Sequence, residues 1–218
     1  MSHEALRWLH VLTFALWFGT DLGVFKASLA VTDSRLPVET RRFALRLLMA
    51  LDLVPRFAML GVVALAPWLA QPFLGFSLPA GWMALWSLGI LAWGGLVFRL
   101  HHGGWAQAAA WRRFDVFLRL SLMLGCGVAA SHPQVYGLGA WLSLKLLLLA
   151  LAVGCGLAVR LLLVPFGADF GRLVAEGSTP SLEAALRRSL GRTRYCVLGI
   201  YGCVLLAAWL GIAKPAWP

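Results

Sequence analysis

The sequence predicts an all-α membrane protein: a bundle of about six transmembrane helices, with both termini on the periplasmic side. Three observations predict it. First, 61% of the 218 residues are hydrophobic and 13% are charged, with a mean hydropathy of +0.80. A water-soluble fold cannot hide that much apolar surface, whereas lipid covers it. Second, apolar stretches of about 20 residues, the length needed to cross the hydrocarbon core, recur along the chain. Third, basic connections alternate with connections that hold no Lys or Arg. No polar stretch is long enough for a second fold, so 1–218 reads as one transmembrane domain.

The six spans fall at 5–31, 43–70, 81–100, 114–131, 139–166 and 194–213. Pro37, Pro72, Pro79, Pro133 and Pro180 lie between them, where prolines interrupt helices at no cost. Pro55 and Pro67 lie inside the second span, and each predicts a kink or an irregular turn there. The first connection carries Arg35, Arg41 and Arg42. The third is edged by Arg99, Arg112 and Arg113, and the fifth holds Arg172, Arg187, Arg188 and Arg192. "QPFLGFSLPA" and "HPQVYGL", the second and fourth, carry none. The positive-inside rule then puts connections one, three and five in the cytoplasm of a bacterial inner membrane. A short cytoplasmic helix is expected within 167–193, with Ser181 as its cap and Glu183 near its start. The first span is too long for the apolar core of a cleavable signal peptide, and none is expected.

The net charge of +10 comes from scattered loop residues that set orientation, and it points to no nucleic-acid partner. Trp8, Trp68, Trp82, Trp105, Trp111, Trp141 and Trp209 stand near span ends, where indoles favour the headgroup layer. Cys126, Cys155, Cys196 and Cys203 lie in apolar segments without metal or redox spacing, and read as small packing residues.

The chemistry-bearing residues are the ionisable groups at membrane depth, which are costly there and face the bundle interior. In "LRWLHVLTFALWFGTDLGVFK", His10, Trp17 and Asp21 fall within ~20° of one line on a helix, with Phe14 beside them. His10 is near the outer end, and Asp21 lies ~16 Å deeper, so the two belong to separate sites. In the second span Asp52 and Arg56, four residues apart, share a face at the depth of Asp21. An Asp21–Arg56–Asp52 cluster is therefore expected to staple the first two spans. On the outer side, Lys145 lies at the depth of His10, and His132 ends the fourth span. His101 and His102 in "RLHHGGWAQ" belong to the opposite side, and His3 is expected at the exposed terminus.

"LRWLHVLTFALWFGTDLGVF" resembles the first helix of the HemJ-type protoporphyrinogen oxidase and CopD-like group of small membrane proteins, where an L-H pair leads to a W-x-G element. "GAWLSLKLLLLAL" is similar to that group's later W-x-x-x-K helix, and "YGCVLLAAWLGIAKPAW" to its closing span. Two other elements of the group are replaced here by "FKASLAVTDSR" and "SLGRTRYCVLG". The resemblance implies haem b with His10 as axial ligand and Lys145 as the functional lysine. The expectation is an inner-membrane haem-binding protein that moves electrons to a redox partner or other membrane subunits. His132 or Lys145 would serve the second face of the iron, with Trp17 and Phe14 against the ring. Two alternatives stand beside it. One is a copper transport or accessory protein, although Met49, Met59, Met83 and Met123 are dispersed. The other is a cofactor-free structural subunit.

Overall fold

The computed structural model describes residues 2–103 and 107–215, so Trp105 lies outside the described residues. All regular structure among them is helical, and six segments are long and apolar enough to cross a membrane, as in a multi-pass membrane protein. Helix α1 (His3–Val31) starts at Ser2, whose hydroxyl accepts the Ala5 N–H at 3.2 Å, a standard N-cap. It stops at a turn in which Asp33 Oδ1 accepts the Arg35 backbone N–H at 3.0 Å.

The second span is broken in two, α2 (Val38–Leu51) and α3 (Leu53–Ala70), with Asp52 between them. Pro55 explains the break, because it has no N–H to return to the carbonyl of Leu51, four residues back. Pro67 stays inside α3 and frees the carbonyl of Val63 in the same way. A neighbouring helix satisfies that carbonyl: the Trp86 indole N–H donates to it at 2.9 Å. The donor belongs to α4 (Ala80–His102), reached through a 3-10 turn at Gln71–Phe73.

Helix α5 (Ala108–Ser131) leads into the four-residue α6 (Pro133–Tyr136). Gly137 follows at φ +59°, and a Cβ there would lie 2.6 Å from the Gly75 Cα. Glycine meets both demands, the left-handed backbone and the contact with the loop after α3. Helix α7 (Ala140–Leu162), α8 (Phe166–Glu176) and α9 (Pro180–Ala213) complete the chain.

The region 167–193 differs from the expectation of one separate helix. It holds most of α8 and then the first turns of α9, which run unbroken into the last span. The cap is Thr179, whose hydroxyl accepts the Leu182 N–H at 3.3 Å, and not Ser181. Pro180 takes the first helical position, where its missing N–H costs nothing. At 34 residues, α9 is ~51 Å long. That exceeds the hydrocarbon core, so its first turns project beyond it.

Helix α1 packs on α2 and α3, α3 on α4, α5 on α7, and α7 along α9. A central core joins Trp17, Met59, Val63, Trp93, Val153 and Val204. A second core, with Val31, Phe166, Phe170, Leu173 and Leu186, ties α1 to α8 and α9 at the end of the bundle opposite the termini. Of the tryptophans expected at the lipid boundary, Trp8, Trp82, Trp111 and Trp209 are exposed. Trp68 turns inward and donates to Ser87 Oγ at 3.0 Å.

Candidate functional site

The start of α1, the end of α3, the start of α7 and the end of α9 meet at the terminal end of the bundle. They enclose a cavity of about 350 Å³. Its deeper wall is apolar, with Phe14, Trp17, Ala152 and Val204. His10, Lys145 and Cys203 also line it, and His3, Arg7 and Lys214 lie toward the chain ends. No Asp or Glu is among the lining residues.

The loops after α3 and α6 meet beside the cavity, where the rings of Phe73 and Trp141 touch edge to face at 5.2 Å. Lys214 Nζ lies 4.4 Å from the centre of the Phe73 ring, a cation–π contact. Lys145 reaches the cavity past Gly211. A Cβ on Gly211 would lie 2.6 Å from Lys145 Nζ, so the side chain passes α9 where α9 has none of its own. The close spacing of α7 and α9 recurs one level deeper, where Cys155 Sγ lies 3.3 Å from the position of a Gly199 Cβ. All four cysteines are free thiols, consistent with packing.

His10 is half-buried, and its Nδ1 is fully buried with no hydrogen-bond partner among the described residues. The nearby Thr13 hydroxyl does not serve it, because that hydroxyl donates to the carbonyls of Leu9 and His10 at 3.0 and 2.9 Å. Four residues named from the sequence, His10, Phe14, Trp17 and Lys145, therefore line one cavity. His132 does not. It stands exposed at the end of α5, and α5 packs on α7 and α4, so the imidazole never reaches the α1 face. His102 belongs to the opposite end, with Nδ1 2.9 Å from the Phe98 carbonyl.

The expected three-residue staple is only partly formed. Arg56 pairs with Asp52, one turn earlier, but the Asp21 carboxylate makes no ion pair or hydrogen bond among the described residues. Asp52 is the nearer partner along the chain and takes the guanidinium. The tie from Asp21 to the bundle is made by its backbone, whose carbonyl accepts the Tyr201 hydroxyl at 2.7 Å.

Two other polar clusters were not foreseen. Asp115 accepts from Trp93 Nε1 at 2.7 Å and pairs with Arg119 and Arg160. Arg41 forms a two-pronged pair with Glu183 at 2.6 and 3.1 Å, and its Nε donates to the Val31 carbonyl at 2.9 Å. The acid–base spacing of Asp115 and Arg119, four residues apart within a span, was the available signal for the first. The second had none, because its partners lie 142 positions apart.

The cavity offers the imidazoles of His10 and, toward the chain end, His3, the amines of Lys145 and Lys214, the Arg7 guanidinium and an apolar wall, with no acid among the lining residues to neutralise the cations. Such a site suits a ligand with a flat apolar body and anionic groups. Among the described residues no group of three or more His, Cys, Asp or Glu is placed to hold a bare metal ion. A metal held mainly by its own macrocycle needs fewer protein ligands. No family model, curated protein or solved structure matches the chain.

Proposed function

We propose that the protein binds b-type haem in the cavity at its terminal end and takes part in electron transfer across or along the inner membrane. The observation that carries this reading is His10, whose ring has no hydrogen bond among the described residues, lining an apolar cavity together with Lys145 and with no carboxylate among the lining residues. An imidazole that no hydrogen bond holds among the described residues can turn a ring nitrogen toward the cavity, where iron ligation would satisfy it. His10 would be the axial ligand, Phe14 and Trp17 would flank the ring, and Lys145, Lys214 and Arg7 would balance its carboxylates. When bound, haem supplies one-electron chemistry, and the protein sets axial ligand, burial and access. The apolar wall keeps water from the ligating nitrogen, and Gly211 leaves the space through which Lys145 enters.

The same reading places the terminal end in the periplasm. Arg35, Arg42, Arg99, Arg112, Arg113, Arg172, Arg187, Arg188 and Arg192 gather at the other end, which the positive-inside rule assigns to the cytoplasm.

The test is an absorption spectrum, with metal analysis, of detergent-purified protein expressed with ample haem. Wild type should show a Soret band. His10→Ala should lose it or convert a low-spin spectrum to high-spin while still inserting in the membrane. Lys145→Met should shift the spectrum or the midpoint potential, and His102→Ala should change neither. A colourless wild type, or an unaltered band in His10→Ala, would sink the assignment.

A further inference from the structure

Besides His10 Nδ1, one side-chain nitrogen is buried without a partner among the described residues: Nη2 of Arg119. It lies midway along α5 and is not among the residues that line the cavity. Arg119 is 6% exposed. Its Nε donates to Asp115 Oδ2 at 3.3 Å, and its Nη1 reaches only Met59 Sδ, at 3.8 Å. Thioether sulfur is a weak acceptor. Asp115 already accepts three of the four hydrogen bonds that a carboxylate can take. It is 1% exposed, Oδ1 takes the Trp93 indole, and Oδ2 is shared between Arg119 and Arg160, the latter at 2.5 Å.

Charge tells the same story as hydrogen bonding. Two guanidinium groups face one carboxylate, and the neighbouring Asp52–Arg56 pair is already neutral. A surplus buried cation with an unused donor is expensive at membrane depth unless an anion completes it. The network meets the surface through Arg160. The Arg160 side chain is 31% exposed, in the last turn of α7, and its Nε and Nη2 have no partner among the described residues. Asp115 lies ~10 Å along α5 from its first residue, close to where lipid headgroups begin.

We propose that Arg119 and Arg160, bridged by Asp115 Oδ2, form an oxyanion site that takes a phosphate group. Guanidinium forks match phosphate oxygens in pairs, and Asp115 with Trp93 fixes the two forks relative to each other. The phosphate comes from a phospholipid headgroup or from free phosphate, and both present the same oxygens.

The experiment uses delipidated full-length protein in a neutral detergent. Thermal unfolding and native mass spectrometry are followed on adding phosphatidylglycerol or inorganic phosphate. Diacylglycerol and potassium chloride serve as controls without phosphate. One phosphate source should raise Tm saturably, by about 5 °C near saturation, and the controls should not. A response to phosphatidylglycerol alone identifies the headgroup, and a response to inorganic phosphate identifies the free ion. Arg160→Gln, which leaves Asp115 paired with Arg119, should bind at least tenfold more weakly. Arg119→Lys keeps the charge but not the fork, and should also weaken binding. An unchanged Tm with both sources, or a wild-type response in both variants, would overturn the site.

Discussion

At the scale of the residue, Asp21 and Asp115 invite comparison, because both are carboxylates buried in spans with opposite surroundings. Asp115 receives three hydrogen bonds from Trp93, Arg119 and Arg160. Asp21 receives none at its carboxylate among the described residues. Asp115→Asn removes the only charge that balances two guanidinium groups, so it should cost about 3–5 kcal/mol, as when one partner of a buried pair is deleted. Asp21→Asn breaks no such pairing and should cost under about 1 kcal/mol. Thermal unfolding of the two variants in one detergent checks the contrast, and a larger loss in Asp21→Asn would contradict it. The sequence held part of this information. Helical periodicity put His10, Phe14 and Trp17 on one face, and depth placed Lys145 beside them. Depth fixes a position along the bundle axis but not the direction around it. That is why His132, at a suitable depth, stands on the wrong side of α5, and why Asp21 misses Arg56.

Among elements, α9 links the two ends of the molecule. Its terminal end brings Gly211 against Lys145. Its first turns bring Glu183 to Arg41 of α2, with exposures of 5% and 1%. Ser178 donates a further hydrogen bond to Glu183 at 2.7 Å, so the carboxylate is held on several sides. Arg194, further along α9, donates to the Ser28 carbonyl and the Thr32 hydroxyl at 2.6 Å each. These bonds fix the end of α1 and the start of α2 to one continuous helix. Glu183→Gln should therefore destabilise by about 3–5 kcal/mol, and proteolysis should then open the 32–37 connection first. Arg42→Gln, which disrupts only a solvent-exposed pair with Glu39, should cost under about 1 kcal/mol; equal losses in the two variants would remove the tie. Helix existence was legible because hydrophobic length and proline position are local properties. The break at Asp52 followed from Pro55 in the same way. The continuity of α9 was not legible, since its polar first turns read as a separate short helix capped at Ser181, and their apolar content is too low to join them to the last span by hydropathy alone.

For the whole molecule, orientation decides which compartment reaches each site. The connections at the terminal end, 71–79 and 132–139, carry no Lys or Arg, while most arginines gather at the other end. Some of these arginines are structural, however, which weakens a simple count. Arg41 is buried against Glu183, and Arg35 is drawn to Asp33. The Arg35–Asp33 pair is solvent-exposed, and its hydrogen bonding holds the Asp33 carboxyl below the usual carboxylate range. Arg42, Arg99, Arg112, Arg113, Arg187, Arg188 and Arg192 remain at that end without being sealed in the core, and the proposed orientation rests on them. Single cysteines in a cysteine-free background test it. Ser77→Cys and Gln134→Cys, both at exposed positions of the terminal end, should react with an impermeant maleimide added to intact cells. Glu176→Cys, exposed at the end of α8, should react only after permeabilisation. Labelling of Glu176→Cys in intact cells would invert the molecule. The cavity would then face the cytoplasm, the arginine network would lie in the outer leaflet, and a haem site there would draw electrons from the opposite compartment.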